Sequence, residues 1–196
     1  VVYISSTYTI DFMWTSAFVM IGFYLLLKEK LLLSGIFLGL AIGCRITSGA
    51  MLLPFSMLLW QKDSIKLSLK KTIRLSIPAL ITGIIAFIPI ICIYGKEFFD
   101  YYDQFPYPPL SKVLYKASIG VWGSTGVVFM IIIGALLIVK NKRYKKWELF
   151  SKEPVHNSIP TWICVIVLYT ISYFRLPQKS GYFIAVIPFV ILLFGA

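Results

Sequence analysis

Seven apolar runs dominate the chain: Phe12–Leu27, Leu31–Cys44, Ile46–Trp60, Ile77–Tyr94, Ile119–Val139, Ile159–Phe174 and Tyr182–Gly195. A helix needs about 20 apolar residues to cross a bilayer, fewer if it stops within the interface. The pattern therefore predicts an all-α, polytopic transmembrane bundle of about seven membrane segments. Composition closes the alternative: with 59% hydrophobic and 14% charged residues and a mean hydropathy of +0.84, polar surface is too scarce to cover an ordinary soluble domain. No repeat, low-complexity tract or second domain interrupts the runs, so residues 1–196 read as a single transmembrane domain. A chain that opens on Val1 and closes inside an apolar run at Ala196 reads as a piece of a longer protein.

One charge sits badly in this scheme. Residues 31–60 are apolar or small throughout except for Arg45. As one helix they would be about 45 Å long, overshooting a hydrocarbon layer of about 30 Å. Arg45 would then lie near mid-membrane, where a guanidinium costs at least about 2.5–3.5 kcal/mol. As two short helices they form a hairpin, for which Gly43, Arg45, Thr47, Ser48 and Gly49 supply the breakers and polar groups. Under the hairpin reading thirteen Lys and Arg residues fall on one side and six on the other, against eleven and seven for a single span. Both the positive-inside rule and the desolvation cost favour the hairpin. The richer side is then cytoplasmic, the amino end extracytoplasmic, and the carboxyl end of the sequence cytoplasmic.

A formal net charge of +11 would point to nucleic acid in a soluble chain, but here the cations cluster between apolar runs as cytoplasmic loops do, and no nucleic-acid partner is expected. The segment at about 62–76 repeats Ile65, Leu69 and Ile73 beside Lys62, Lys66, Lys70 and Arg74, which predicts a basic interfacial helix against membrane lipid or a plain basic connector. Cys44, Cys92 and Cys164 lie in apolar runs without CxxC spacing, and His156 is the only histidine, so neither a disulfide framework nor a metal site is predicted. Acidic outer residues could hold a divalent cation, though no ligand spacing requires one.

The outer side gathers a different set. Asp11, Arg45, Glu97, Asp100, Asp103, Arg175 and Lys179 fall there, with an aromatic, proline-rich loop over about 95–118 that contains Tyr101. Carboxylates beside guanidinium and ammonium groups at a membrane surface suit group transfer from a lipid-linked phosphate. The cations hold the phosphodiester and stabilise the leaving phosphate, and a carboxylate takes a proton from the acceptor. Interfacial anchoring produces similar placements, residue by residue. The aromatics of the loop serve either to stack on a sugar or to form the interfacial belt.

The stretch "SSTYTIDFMWTSAFVMIGFYLLL" followed by "LLLSGIFLGLAIGCRITSGAMLLP" resembles the middle of multi-spanning glycosyltransferases of the GT-C class, among them the protein O-mannosyltransferases and the lipid A aminoarabinose transferase. The matching positions are Asp11, Lys28 to Lys30, Gly39-Leu40-Ala41 with Gly43, Arg45 and Pro54. A second stretch, "FRLPQKSGYFIAVIPFVILLFG", matches at Arg175, Pro177, Lys179, Tyr182, Pro188 and Phe189. Together they cover under half of the chain. The resemblance implies inverting transfer of a sugar from a polyprenyl-phosphate donor at the extracytoplasmic face. It assigns Arg45, Arg175 and Lys179 to the donor phosphate, Asp11 to a secondary role beside donor or acceptor, and Glu97, Asp100, Tyr101, Asp103 and Tyr182 to a substrate loop. The family's main catalytic carboxylate lies in an earlier outer loop, which would precede Val1. Gln178-Lys179-Ser180 stands where some relatives have His-Lys-Glu. The rival expectations are a transporter or flippase for a lipid-linked or anionic substrate, whose charge would lie near the midplane, and a non-catalytic scaffold.

Overall fold

The computed structural model describes residues 11–60, 64–95, 97, 107–143, 158–175 and 183–195. Every element in it is helical: α1 Asp11–Leu27, α2 Leu31–Cys44, a 3-10 turn Ile46–Met51, α3 Leu52–Trp60, α4 Ile65–Tyr94, α5 Leu110–Ala117, α6 Ile119–Arg143, α7 Ile159–Arg175 and α8 Ile187–Gly195. The all-α expectation holds at that level. Among the described residues one helix, α4, is long and apolar enough to cross a membrane, and the other apolar helical stretches are shorter.

Helices α1 and α2 are antiparallel because only Lys28, Glu29 and Lys30 join them. Glu29 takes a positive φ of 58°, and the Lys30 amide closes the turn on the Leu25 carbonyl at 2.9 Å. Along the pair, Ser34 Oγ donates to the Gly22 carbonyl at 2.7 Å and the rings of Phe18 and Phe37 meet at 6.1 Å. Ser34 is fully buried, so its hydroxyl needs a protein acceptor, and the Gly22 carbonyl provides one.

On its other side α2 lies parallel to α4, and glycine permits the approach. A Cβ added at Gly35 would strike the Leu75 carbonyl oxygen and Pro78 Cγ. At Gly39 it would stand 2.7 Å from the Ala79 oxygen, and at Gly43 2.6 Å from Ala86 Cβ. Four-residue spacing places the three glycines along one stripe of α2, which lets the backbones touch, as in small-xxx-small packing of membrane helices.

Two expectations differ in detail. The basic segment expected as a separate interfacial helix over 62–76 is, from Ile65 onward, the first three turns of α4, which continues through Pro78 to Tyr94. The segment expected as a loop over 95–118 contains α5, an amphipathic helix with Val113 buried and Leu110, Leu114 and Tyr115 exposed.

Residues 31–60 do not form one rod. Helix α2 ends where the Arg45 amide donates to the Ala41 carbonyl at 2.9 Å and Arg45 turns to extended backbone at φ −151°, ψ 118°. The 3-10 turn follows, and α3 runs back. Phe55 packs on Gly22 and on the Phe23 ring at 5.9 Å, and Trp60 Nε1 donates to Thr72 Oγ1 in the third turn of α4 at 3.1 Å. Lys71 Nζ stands 3.6 Å from the Glu29 carboxylate, so the start of α2 and the end of α3 share one end of the molecule and Arg45 occupies the other. Helices α7 and α8 complete the core, antiparallel to each other. Tyr173 meets Phe183 at 4.7 Å near the Arg45 end, and Phe189 meets Phe23 at 5.7 Å deeper in.

Candidate functional site

The Arg45 end collects the outer group that the sequence sorts together, so far as the described residues include it. Asp11 opens α1, where its carboxylate complements the positive end of the helix dipole. Arg45 reaches it from the break after α2, with Nε 2.6 Å from Oδ2. The guanidinium carbon lies 3.3 Å from the centroid of the Phe12 ring, so one face of the cation rests on π electrons while its edge meets the carboxylate. Thr15 Oγ1 donates to the Asp11 carbonyl at 2.6 Å and steadies the first turn.

The two charges are not equally shielded. The Arg45 side chain is 11% exposed and that of Asp11 44%. The carboxylate is therefore the more accessible member of the pair, and the guanidinium is the more sheltered one.

The turn beneath them is fixed from inside. Ser48 Oγ and the Tyr169 hydroxyl, both buried, are 3.3 Å apart, and the Ser48 amide donates to the Arg45 carbonyl at 2.9 Å. Helix α7 therefore braces the turn that presents Arg45. Thr47 Oγ1 is shielded from solvent and has no hydrogen-bond partner among the described residues. At the end of α7, Tyr173 donates to the Val113 carbonyl at 2.7 Å and Tyr107 to the Phe174 carbonyl at 3.1 Å, which fastens α5 across the same end.

The predicted site residues divide clearly. Asp11 and Arg45 are brought into contact. Arg175, the last residue of α7, and Glu97, just past α4, are exposed at the same end, and neither forms an ion pair with Asp11 or Arg45. Asp100, Tyr101, Asp103, Lys179 and Tyr182 lie outside the described residues. Among the described residues no three His, Cys, Asp or Glu side chains group as a metal site would require. Sequence reasoning missed Phe12, Thr15 and Tyr169, and it placed Ser48 in the turn without its partner. Phe12 and Tyr169 lie inside apolar runs, where their types carry no signal until the packing is known.

No protein-family model matches the chain, and neither a curated protein nor a solved structure matches it.

Proposed function

We propose that this chain is the helical membrane portion of a glycosyltransferase that moves a sugar from a polyprenyl-phosphate donor to an acceptor at the extracytoplasmic face. The observation that carries the reading is the Asp11–Arg45 pair at 2.6 Å, set at the reversal between α2 and α3. A carboxylate that is the more exposed partner suits a hydroxyl donor, from the sugar or the acceptor. Arg45 behind it, with Arg175 at the same end, supplies positive charge for a phosphate whose charge grows as the bond to the sugar breaks.

Membrane embedding as a bundle of about seven segments belongs to the same proposal. Its support is the surface of α4, where Ile77, Ile81, Ile84, Ile85, Ile88 and Ile91 are all exposed. Contiguous apolar surface of that extent suits lipid rather than water. Arg45 at a helix end, rather than halfway along one, favours the transferase over the carrier, whose ionisable group has to be reached from both sides.

The test is transfer of labelled sugar from a polyprenyl-phosphate donor by the full-length protein in native membranes. Arg45→Ala and Asp11→Asn are each expected to lower turnover at least a hundredfold, with insertion unchanged by protease protection. Turnover unaffected by either substitution removes the pair from the reaction. Uptake of an anionic lipid-linked substrate that depends on Arg45, without sugar transfer, would establish the carrier instead.

A further inference from the structure

Helix α4 changes character along one side. Lys66, Lys70 and Arg74 recur every fourth residue and are exposed. Ile77, Ile81, Ile84, Ile88 and Ile91 continue the same outward side and are between 45% and 62% exposed. At 100° per residue all eight lie within one broad stripe, while Ser68, Leu75, Ala79 and Gly83, the buried residues of the helix, lie on the opposite side. The change from cations to hydrocarbon occurs within a single turn, between Arg74 and Ile77.

Other cations stand at the same end. Lys28 and Lys30 are exposed at the same end, and the Glu29–Lys71 contact holds their turn against α4. The apolar part from Ile77 to Ile91 is about 21 Å long, longer than one leaflet's share of a hydrocarbon core of about 30 Å. One kind of molecule is complementary to both parts at once: a phosphate bearing negative charge, carrying acyl chains that run along the helix.

We propose that the outward face of α4 is a binding site for an anionic phospholipid, with the phosphate held by Lys66, Lys70 and Arg74 and an acyl chain laid along Ile77, Ile81, Ile84 and Ile88. The proposal rests on the membrane embedding described above and not on sugar transfer. It assigns the basic segment a retained lipid, where orientation alone would need only a diffuse excess of cations.

The experiment is native mass spectrometry of the full-length protein released from mixed micelles supplied with equal phosphatidylglycerol and phosphatidylcholine. The unaltered protein is expected to retain phosphatidylglycerol at least fivefold over phosphatidylcholine, and Lys70→Gln/Arg74→Gln to lose most of that preference. Lys112→Gln/Lys116→Gln removes the same charge from α5, at the other end, and is expected to keep it. If the double variant of α4 fails to insert, Lys70→Gln alone, expected to give a graded loss, replaces it. Equal retention of the two lipids by the unaltered protein, or equal loss in both double variants, overturns the proposal. Adducts are counted without any activity, so a failed transferase assay leaves this result standing, whereas a chain recovered outside the membrane fraction would remove both.

Discussion

The contact between α2 and α4 gives the sharpest prediction, because backbone opposes backbone there. A methyl group at Gly39 would lie 2.7 Å from the Ala79 carbonyl oxygen and 2.5 Å from Thr82 Cβ. Ordinary contact needs about 3.5–4.0 Å, so the helices have to part by roughly an ångström, and no rotamer change of a flexible side chain relieves it. Overpacking of this kind costs about 1–3 kcal/mol. The better helix propensity of alanine returns about 1 kcal/mol. Gly39→Ala is therefore expected to destabilise by up to about 2 kcal/mol, and Gly39→Leu, with three further carbons and the same obstruction, by at least about 3 kcal/mol. Gly134 in α6 is the control, since a Cβ there meets nothing within 4 Å. Gly134→Ala is expected to be neutral or stabilising by up to about 1 kcal/mol. Reversible unfolding by sodium dodecyl sulfate in mixed micelles, followed through tryptophan fluorescence, measures all three. Gly39→Leu unfolding no more readily than Gly134→Ala would refute the close approach of the two helices.

Other consequences concern the site and its supports. A double-mutant cycle on Asp11→Asn and Arg45→Gln is expected to give a coupling of about 0.5–2 kcal/mol, reduced by salt because the carboxylate is partly exposed. A coupling of zero would mean that the pair does not form. Arg45→Lys keeps the charge but loses the planar stack on Phe12, and is expected to recover under half of that coupling in the same assay. Tyr169→Phe leaves the buried Ser48 hydroxyl without its partner and is expected to cost about 1 kcal/mol; a further Ser48→Ala should then cost little, and a full additive loss would separate the two residues. Tyr173→Phe removes the hydrogen bond to the Val113 carbonyl, so amide exchange in 110–117 is expected to rise by about five- to tenfold, whereas unchanged exchange would show that α5 is held without that bond.

Much of the helical frame is legible because the apolar runs end at residues that stop helices for simple reasons. Lys28 to Lys30 close α1, and the cost of burying Arg45 places the reversal where α2 ends. Sorting charges to one side of that reversal puts Asp11 and Arg45 at one end, but that these two, 34 residues apart, meet is visible only in the packing. What stayed hidden depends on partners. Gly35, Gly39 and Gly43 show their four-residue spacing in the sequence, but only the parallel course of α4 turns that stripe into a contact. The charges over 65–76 interrupt the apolar pattern without interrupting the helix, because lysine and leucine are both good helix formers. Helix α5 sits among prolines and aromatics that read as a loop, although Leu110, Val113 and Leu114 against Lys112 and Lys116 carry helical spacing. Tyr169 shows its role only through Ser48, 121 residues away.

The reversal at Arg45 puts Ile46 and Glu97 at one end of the molecule and Lys30 and Ser64 at the other. Single cysteines at these four positions, in a full-length protein otherwise free of cysteine, report the side directly when membranes are treated with an impermeant maleimide from each face. Ile46→Cys and Glu97→Cys are expected to label from the outer face alone, and Lys30→Cys and Ser64→Cys from the inner face alone. Labelling of positions 30 and 46 from the same side, or of position 46 from neither, would contradict it.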